Sequence, residues 1–313
     1  MKKVVVTGAN GFVGAAVVKE LVSCNIEVIA LDLEGHNHNL PNSELVRFIP
    51  FSLEDSVRIL DNINDSDIDS FFHLAWSGAA GGQRSDCYLQ LKNALWAIDC
   101  LHVAKSLNCK RFILAGSIME IETLRAVFNQ SSKPGLGYIY GSGKLVSHTM
   151  CKTEAARLGI DFVYAMITNA YGPGEISPRL INSTIRKCIV NEVPKFTSGI
   201  QNYDFVYIDD VARAFYMIGQ YGKPFCEYLI GSSNAKPLKD FLLEMKLAIA
   251  PDLNFVFGDI PFTGVNLSLE DFDCSNTEAD TGFRAKISFS QGCIMTRDWL
   301  LKSLCSKGNI NVL

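Results

Sequence analysis

Apolar and polar positions change their period along the chain. In the first half, the runs KVVVTG (3–8), EVIALDL (27–33), DSFFHLAW (69–76), RFILAGS (111–117) and DFVYAMITN (161–169) are apolar almost throughout. They are rich in β-branched and aromatic residues, as strands buried on both faces are. Between the first two runs, Val13, Ala16, Val17 and Leu21 recur at i, i+3, i+4 and i+8, the spacing of one helical face. A longer amphipathic stretch runs from about Cys87 to Leu107. Buried strands alternating with helices predict βαβ units with right-handed crossovers, hence an α/β fold with a doubly wound parallel sheet.

After Tyr171 the texture changes. GPGEISP (172–178) is a turn cluster, and prolines at 173, 178, 194, 224, 237, 251 and 261 interrupt the later segments. The expected division is a first domain over 1–172 and a smaller mixed α/β portion over 173–313. DFVYIDDVARAFYMIGQ (204–220) returns a strand and a helix to the first domain. The chain shows no internal repeat and no low-complexity segment.

Composition narrows the functional classes. The 313 residues are 48% hydrophobic and 20% charged, with a formal net charge of −4 free of long runs, which suits a soluble globular protein. No basic stripe points to nucleic acid. No apolar stretch approaches the roughly 20 residues of a membrane helix, and MKKVVVTGAN has only three valines before Thr7, a strand rather than a signal peptide. The ten cysteines, at 24, 87, 100, 109, 151, 188, 226, 274, 293 and 305, form no CxxC and have no histidines at zinc spacing. They read as free thiols in a reducing cytoplasm.

The sharpest chemical signal is TGANGFVG, Thr7 to Gly14, where glycines 8, 11 and 14 follow a strand and open a helix. Glycines there permit a tight turn and close approach of backbone to a pyrophosphate, while the helix N-terminus supplies N–H donors. The spacing is GxxGxxG. Asp32 ends the second expected strand eighteen residues after Gly14, and no Arg or Lys intervenes before Arg47. A carboxylate there accepts ribose hydroxyls and repels a 2′-phosphate, which favours NAD over NADP.

A second signal is YxxxK, which places a phenol and an ammonium on one helical face. By chance about half of chains with this many tyrosines and lysines would hold one, and this chain holds two, Tyr88 with Lys92 and Tyr140 with Lys144.

Taken in order, TGANGFVG, Asp32, HLAW (73–76), Ser117 after a strand, Tyr140 with Lys144, NAYGPG (169–174), FVYIDDVARA (205–214) and TGF (281–283) resemble the extended short-chain dehydrogenase/reductases. More narrowly, they are similar to the NAD-dependent epimerase/dehydratase branch that acts on nucleotide sugars. The resemblance runs from residue 2 to about residue 295. It implies a Rossmann-type sheet with a C-terminal substrate-binding portion, and it selects Tyr140, 23 residues after Ser117, over Tyr88, which precedes that serine.

By the same resemblance, Tyr140 is the general base that takes a sugar hydroxyl's proton as hydride leaves for NAD. Lys144 lowers its pKa and holds the nicotinamide ribose, and Ser117 hydrogen-bonds the reacting oxygen. Gly8, Asn10, Gly11, Phe12, Val13 and Gly14 line the cofactor with Asp32, Leu33, Leu74, Ala75, Trp76, Tyr140 and Lys144. Asn169 approaches the substrate, and Asn93 is structural. Family members are often homodimers joined by their fourth and fifth helices.

Departures matter as much. QNYDF (201–205) has Tyr203 where the family often carries an arginine that grips the substrate diphosphate, and VNLSLEDFD (265–273) lacks a second one. Arg179, Arg186 or Lys195 remain as phosphate ligands, with Arg84 beside the glycine-rich loop 78–82 as a further contact. Ile118 and Met119 stand where family dehydratases carry Asp-Glu, so 4,6-dehydration lacks its acid and base. Ile121 replaces a common tyrosine. Glu120, expected on a strand or turn, reads as a solvated or structural acid. His73 reads as a packed core histidine, and Asp209 with Asp210 has no third ligand, so no metal is expected. The first expectation is an NAD-dependent nucleotide-sugar 4-epimerase, with an NAD(P)H-dependent reductase of a 4-keto-6-deoxy nucleotide sugar as runner-up. A 4,6-dehydratase or a non-catalytic cofactor-binding protein ranks below both.

Overall fold

The computed structural model describes residues 1–306; the last seven positions of the expected C-terminal portion, 307–313, lie outside the described residues. The strands in chain order are β1 (Lys3–Thr7), β2 (Glu27–Asp32), β3 (Val46–Pro50), β4 (Ser70–His73), β5 (Arg111–Ser117), β6 (Asp161–Ile167) and β7 (Asn169–Tyr171). The shorter later ones are β8 (Lys195–Phe196), β9 (Asn202–Tyr203), β10 (Phe205–Tyr207), β11 (Glu227–Ile230), β12 (Lys236–Pro237) and β13 (Val256–Phe257). The helices are α1 (Phe12–Ser23), α2 (Cys87–Ser106), α3 (Met119–Val127), α4 (Tyr138–Leu158), α5 (Leu180–Ile189), α6 (Ile208–Tyr221), α7 (Leu238–Ile249), α8 (Ser275–Thr281) and α9 (Phe289–Ser306).

Seven strands form one sheet in the order β11-β6-β5-β4-β1-β2-β3, every pair parallel. Strand alternation divides the core between its faces. Val4, Val6, Phe72 and Ile113 pack with residues of α1 and α6. Val5, Phe71, Phe112 and Leu114 point the other way, into a cluster with Ala97 and Leu101 of α2 and Cys151 of α4. This is the doubly wound, Rossmann-type α/β sheet, with a smaller α/β region beyond it. The order reverses between β1 and β4, and such a switch point opens a crevice at the strands' C-terminal ends.

Two strands lacked the apolar texture that marked the others. β3 and β11 are the sheet's edges, and Arg47, Pro50 and Glu227 on them are exposed. The run 161–169 is two strands. Thr168 N–H still donates to Ile230, but Asn169 N–H donates to Asp204, so the chain crosses there from the main sheet to pair with β10. The run 69–76 stops being a strand at His73, because Leu74 and Ala75 turn their N–H groups onto the Thr7 hydroxyl at 3.2 and 3.3 Å.

Candidate active site

A cleft of about 590 Å³ opens at the switch point. Its wall includes Gly8, Gly11, Phe12, Val13 and Gly14 from the β1–α1 turn, Asp32 at the end of β2 with Leu33 after it, and Leu74, Ala75 and Trp76 after β4. Gly14 is obligatory for the turn: a Cβ there would lie 1.9 Å from the Gly8 carbonyl oxygen. Asp32 is fixed by its neighbours, accepting N–H groups from Asn10 and Leu33, each at 2.8 Å. Asn10 stands behind the wall, accepting the Asn39 amide on its Oδ1 and the Asn39 Nδ2 on its carbonyl.

An adjoining cavity of about 230 Å³ brings together Ser117, Tyr140, Arg84, Asn169, Arg179 and Tyr203. Lys195 is elsewhere: it is mostly exposed and paired with Asp259 at 2.8 Å. The tyrosine and lysine of interest lie in the first two turns of α4, where glycines let that helix sink against its neighbours. A Cβ at Gly141 would meet the Thr123 hydroxyl of α3 at 2.0 Å, and one at Gly143 the Gln90 carbonyl of α2 at 2.9 Å.

The cations around Tyr140 differ from the sequence expectation. The Arg84 guanidinium lies 4.1 Å from the centre of the Tyr140 ring. Lys144 instead donates to the Ala115 carbonyl at 2.8 Å and sits 3.7 Å from the centre of the Trp76 ring, off the wall of both cavities. Burial pushes the Tyr140 phenol above its ordinary value; Arg84, Arg179 and a hydrogen bond with Ser117 pull it down, and Glu120 adds to the rise. Burial lowers Lys144 to about 7, against the opposing pull of Glu120. Burial likewise raises Glu122 to about 7, with Arg84 opposing.

Supporting side chains missed from the sequence hold these groups. Gln90 accepts the Trp76 indole N–H at 2.7 Å and donates to the carbonyls of Gly78 and Gln83, tying the glycine-rich loop to α2. Glu175 is buried, accepts from the Ser177 amide and hydroxyl, and faces Arg179 Nε at 3.2 Å. Arg179 is thereby held where the two cavities meet, since it lines both. An acid inside GPGEISP with an arginine at i+4 was the available signal. Asn93, which the resemblance had marked as structural, bonds the Ser77 amide and carbonyl, each at 2.8 Å.

Glu120 is neither on a strand nor solvated. It opens α3, is buried, and bonds the Ser117 amide. His73 is buried against Phe112 and shares a 3.0 Å hydrogen bond with the Thr7 hydroxyl; burial, aided by Lys144, lowers it to about 3, so the ring is neutral. Asp210 is occupied by the amides of Lys286 and Ile287 and by Arg213. Among the described residues, no three His, Cys, Asp or Glu side chains cluster as metal ligands would, and no helix is long and apolar enough to cross a membrane.

Comparison with known proteins places this geometry. The model of the NAD dependent epimerase/dehydratase family matches residues 4–231. A probable dTDP-glucose 4,6-dehydratase of Sinorhizobium fredii is 25% identical over 328 residues, covering 96% of this chain and 93% of that protein. A dTDP-4-dehydro-6-deoxyglucose reductase of Escherichia coli is 24% identical over 322 residues, covering 97% and 98%. Among solved structures, the UDP-N-acetylglucosamine 4-epimerase of Methanobrevibacter ruminantium superposes with a TM-score of 0.81 at 23% identity, over 96% of this chain and 99% of that one. At such identities the structural likeness establishes the fold.

Proposed function

Because the chain belongs to the NAD dependent epimerase/dehydratase family, we propose that it is an NAD-dependent nucleotide-sugar 4-epimerase working through a transient 4-keto sugar. The observation that carries this reading is the cavity where Ser117 and Tyr140 meet Arg84 and Arg179, beside a glycine-walled cleft. The relatives include a dehydratase and a reductase, so overall identity does not choose the reaction; residues do. Ile118 and Met119 in place of Asp-Glu remove the acid and base of 4,6-dehydration.

The cleft fits NAD on its own geometry. The crowding at Gly14 leaves space for backbone only, and Asp32 sits at the rim with no basic side chain following it before Arg47. Gly8, Gly11 and Gly14 would hold the pyrophosphate at the N-terminus of α1, Asp32 with Leu33 would take the adenosine ribose, Leu74, Ala75 and Trp76 would line the cleft beyond them, and Lys144 would hold the nicotinamide ribose. Bound NAD supplies a hydride acceptor that returns what it takes. Tyr140, as phenolate, removes the C4 hydroxyl proton, Ser117 donates to the oxygen as it becomes a carbonyl, and Tyr140 returns the proton after the sugar has turned over. Arg84 favours the phenolate. Arg179, braced by Glu175, holds a substrate phosphate, with Asn169 and Tyr203 against the sugar nucleotide.

The residues beyond 172 serve mainly substrate binding in this reading. The partner is a second copy of the chain: Tyr88, Leu91 and Leu95 form an exposed apolar stripe on α2, with Met150 exposed on the neighbouring α4. Nine described cysteines are free, as in the cytoplasm, where thiols stay reduced; the side chain of Cys305 lies outside the described residues.

Denaturing the purified protein and measuring released cofactor tests the assignment. Near-stoichiometric NAD(H) supports the epimerase, because hydride is given back; an empty site that takes up NADPH supports the 4-keto reductase. Tyr140→Phe abolishes turnover of a substrate found by an NMR screen of nucleotide sugars; undiminished turnover refutes the mechanism in either form.

A further inference from the structure

Beneath Ser117 the protein buries a carboxylate that hydride transfer itself does not use. Glu120 is 1% exposed. Its Oε1 accepts the Ser117 amide at 2.8 Å and the Tyr164 hydroxyl at 2.5 Å. Its Oε2 lies 3.4 Å from His148 Nδ1 on α4, and His148 Nε2 lies 3.3 Å from Glu227 Oε1 on β11. Glu227 is half exposed and also holds Lys152 Nζ at 2.8 Å. A connected series of charges therefore runs from a surface carboxylate to the floor of the catalytic site.

The packing around the series is specific. The His148 ring lies flat on Tyr164, centroids 3.5 Å apart and planes 6° apart. Gly116 makes room for that tyrosine, since a Cβ there would lie 2.3 Å from the ring. A carboxylate taken out of water needs donors and a cation. Glu120 has two donors on one oxygen, the imidazole facing the other, and the buried ammonium of Lys144 within electrostatic reach. The groups facing His148 are Glu120 from α3, Glu227 from β11, Lys152 from its own helix, and the rings of Phe162 and Tyr164 from β6. Burial disfavours the imidazolium, yet the two flanking carboxylates outweigh it and raise His148 above its ordinary value.

We propose that Glu120 is a positioning residue, holding Ser117 by its backbone amide and supplying the counter-charge of Lys144, and that His148, tuned from the surface by Glu227, sets the pH range in which it does so. The role rests on the hydride-transfer reading of Ser117, Tyr140 and Lys144. His148 is charged below its raised pKa and neutral above it, so the Oε2 side of Glu120 faces a cation on the acid side of that value and loses that counter-charge as pH rises through it, while the two donors on Oε1 stay.

The test combines amide NMR of Ser117 with the pH profile of kcat, both on the NAD-loaded full-length protein. In the wild type the Ser117 amide shift titrates with the His148 midpoint, and the alkaline limb of kcat tracks it. Glu227→Gln, a surface change that leaves the core packing alone, lowers both midpoints by about one pH unit with KM unchanged. Glu120→Gln, of equal volume, abolishes the amide titration. An amide midpoint identical in wild type and Glu227→Gln overturns the proposal, as does a kcat limb that stays put while the amide midpoint moves. The amide measurement needs no substrate, so a protein that turns over no nucleotide sugar but shows the shifted titration refutes the assigned reaction and leaves the Ser117–Glu120–His148 coupling standing.

Discussion

Arg84→Met isolates the cation over Tyr140, the proposed base, while keeping an apolar side chain of similar length against the ring. Two unit charges 4.1 Å apart, the separation of the Arg84 guanidinium and the Tyr140 ring centre, interact by about 4 kcal/mol at an effective dielectric of ~20. At 1.36 kcal/mol per pK unit that equals about three units. The phenolate charge is centred on Oη beyond the ring, and Arg84 is only partly shielded from water, so about one to two units is the working figure. Removing a cation disfavours the phenolate and raises the Tyr140 pKa. The acid limb of the bell-shaped kcat/KM profile therefore moves to higher pH by about one to two units, and at a fixed pH below it the rate falls about ten- to a hundredfold. Steady-state kinetics from acid to alkaline pH with Arg84→Met, Arg84→Lys and Lys144→Met make the measurement. An acid limb unmoved in Arg84→Met but displaced in Lys144→Met would return the role of electrostatic partner to Lys144 and refute the argument.

The same geometry carries three further outcomes. Gly14→Ala forces a Cβ to 1.9 Å from the Gly8 carbonyl oxygen and 2.8 Å from its carbon; titration calorimetry finds NAD binding weakened about tenfold or more, the ~1.4 kcal/mol that even a small backbone shift costs. Glu175→Gln removes the charge that braces Arg179, so KM for the nucleotide sugar rises while kcat is nearly retained; a fall in kcat at constant KM contradicts the phosphate-holding role. The proposed dimer predicts that Leu95→Glu, which puts a charge on the exposed stripe of α2, sediments as a monomer in a velocity run where the wild type sediments as a dimer. A wild type that is already monomeric refutes that interface.

Much of the architecture was legible because its signals are local. The five apolar runs matched strands of the main sheet since a strand buried on both faces leaves no polar positions. The edges β3 and β11 escaped because each is covered on one side only, and Arg47 or Glu227 dilutes the run. Helix α3 escaped as well. MEIE (119–122) alternates like a strand, yet Thr123 and Gly141 let the segment coil against α4, which puts Glu120 inside. At the site, Ser117 and Tyr140 were singled out by resemblance to an ordered set of motifs and line one cavity, whereas Gln90 and Glu175 act through loops whose courses no short window records.

By itself the amino-acid sequence determined the glycine turn, the carboxylate at the end of β2, and a tyrosine and lysine on one helical face. Each depends on neighbours a few residues away, through backbone sterics or a 3.6-residue period. Tertiary structure alone decided which charge meets which ring: Arg84 over Tyr140, Lys144 under Trp76, Lys195 drawn off to Asp259, and Glu120 sealed beneath Ser117 with His148. Those contacts join segments separated by crossovers and helix packing. Their distances depend on how closely α2, α3 and α4 pack, a sum over the whole core that no single stretch contains.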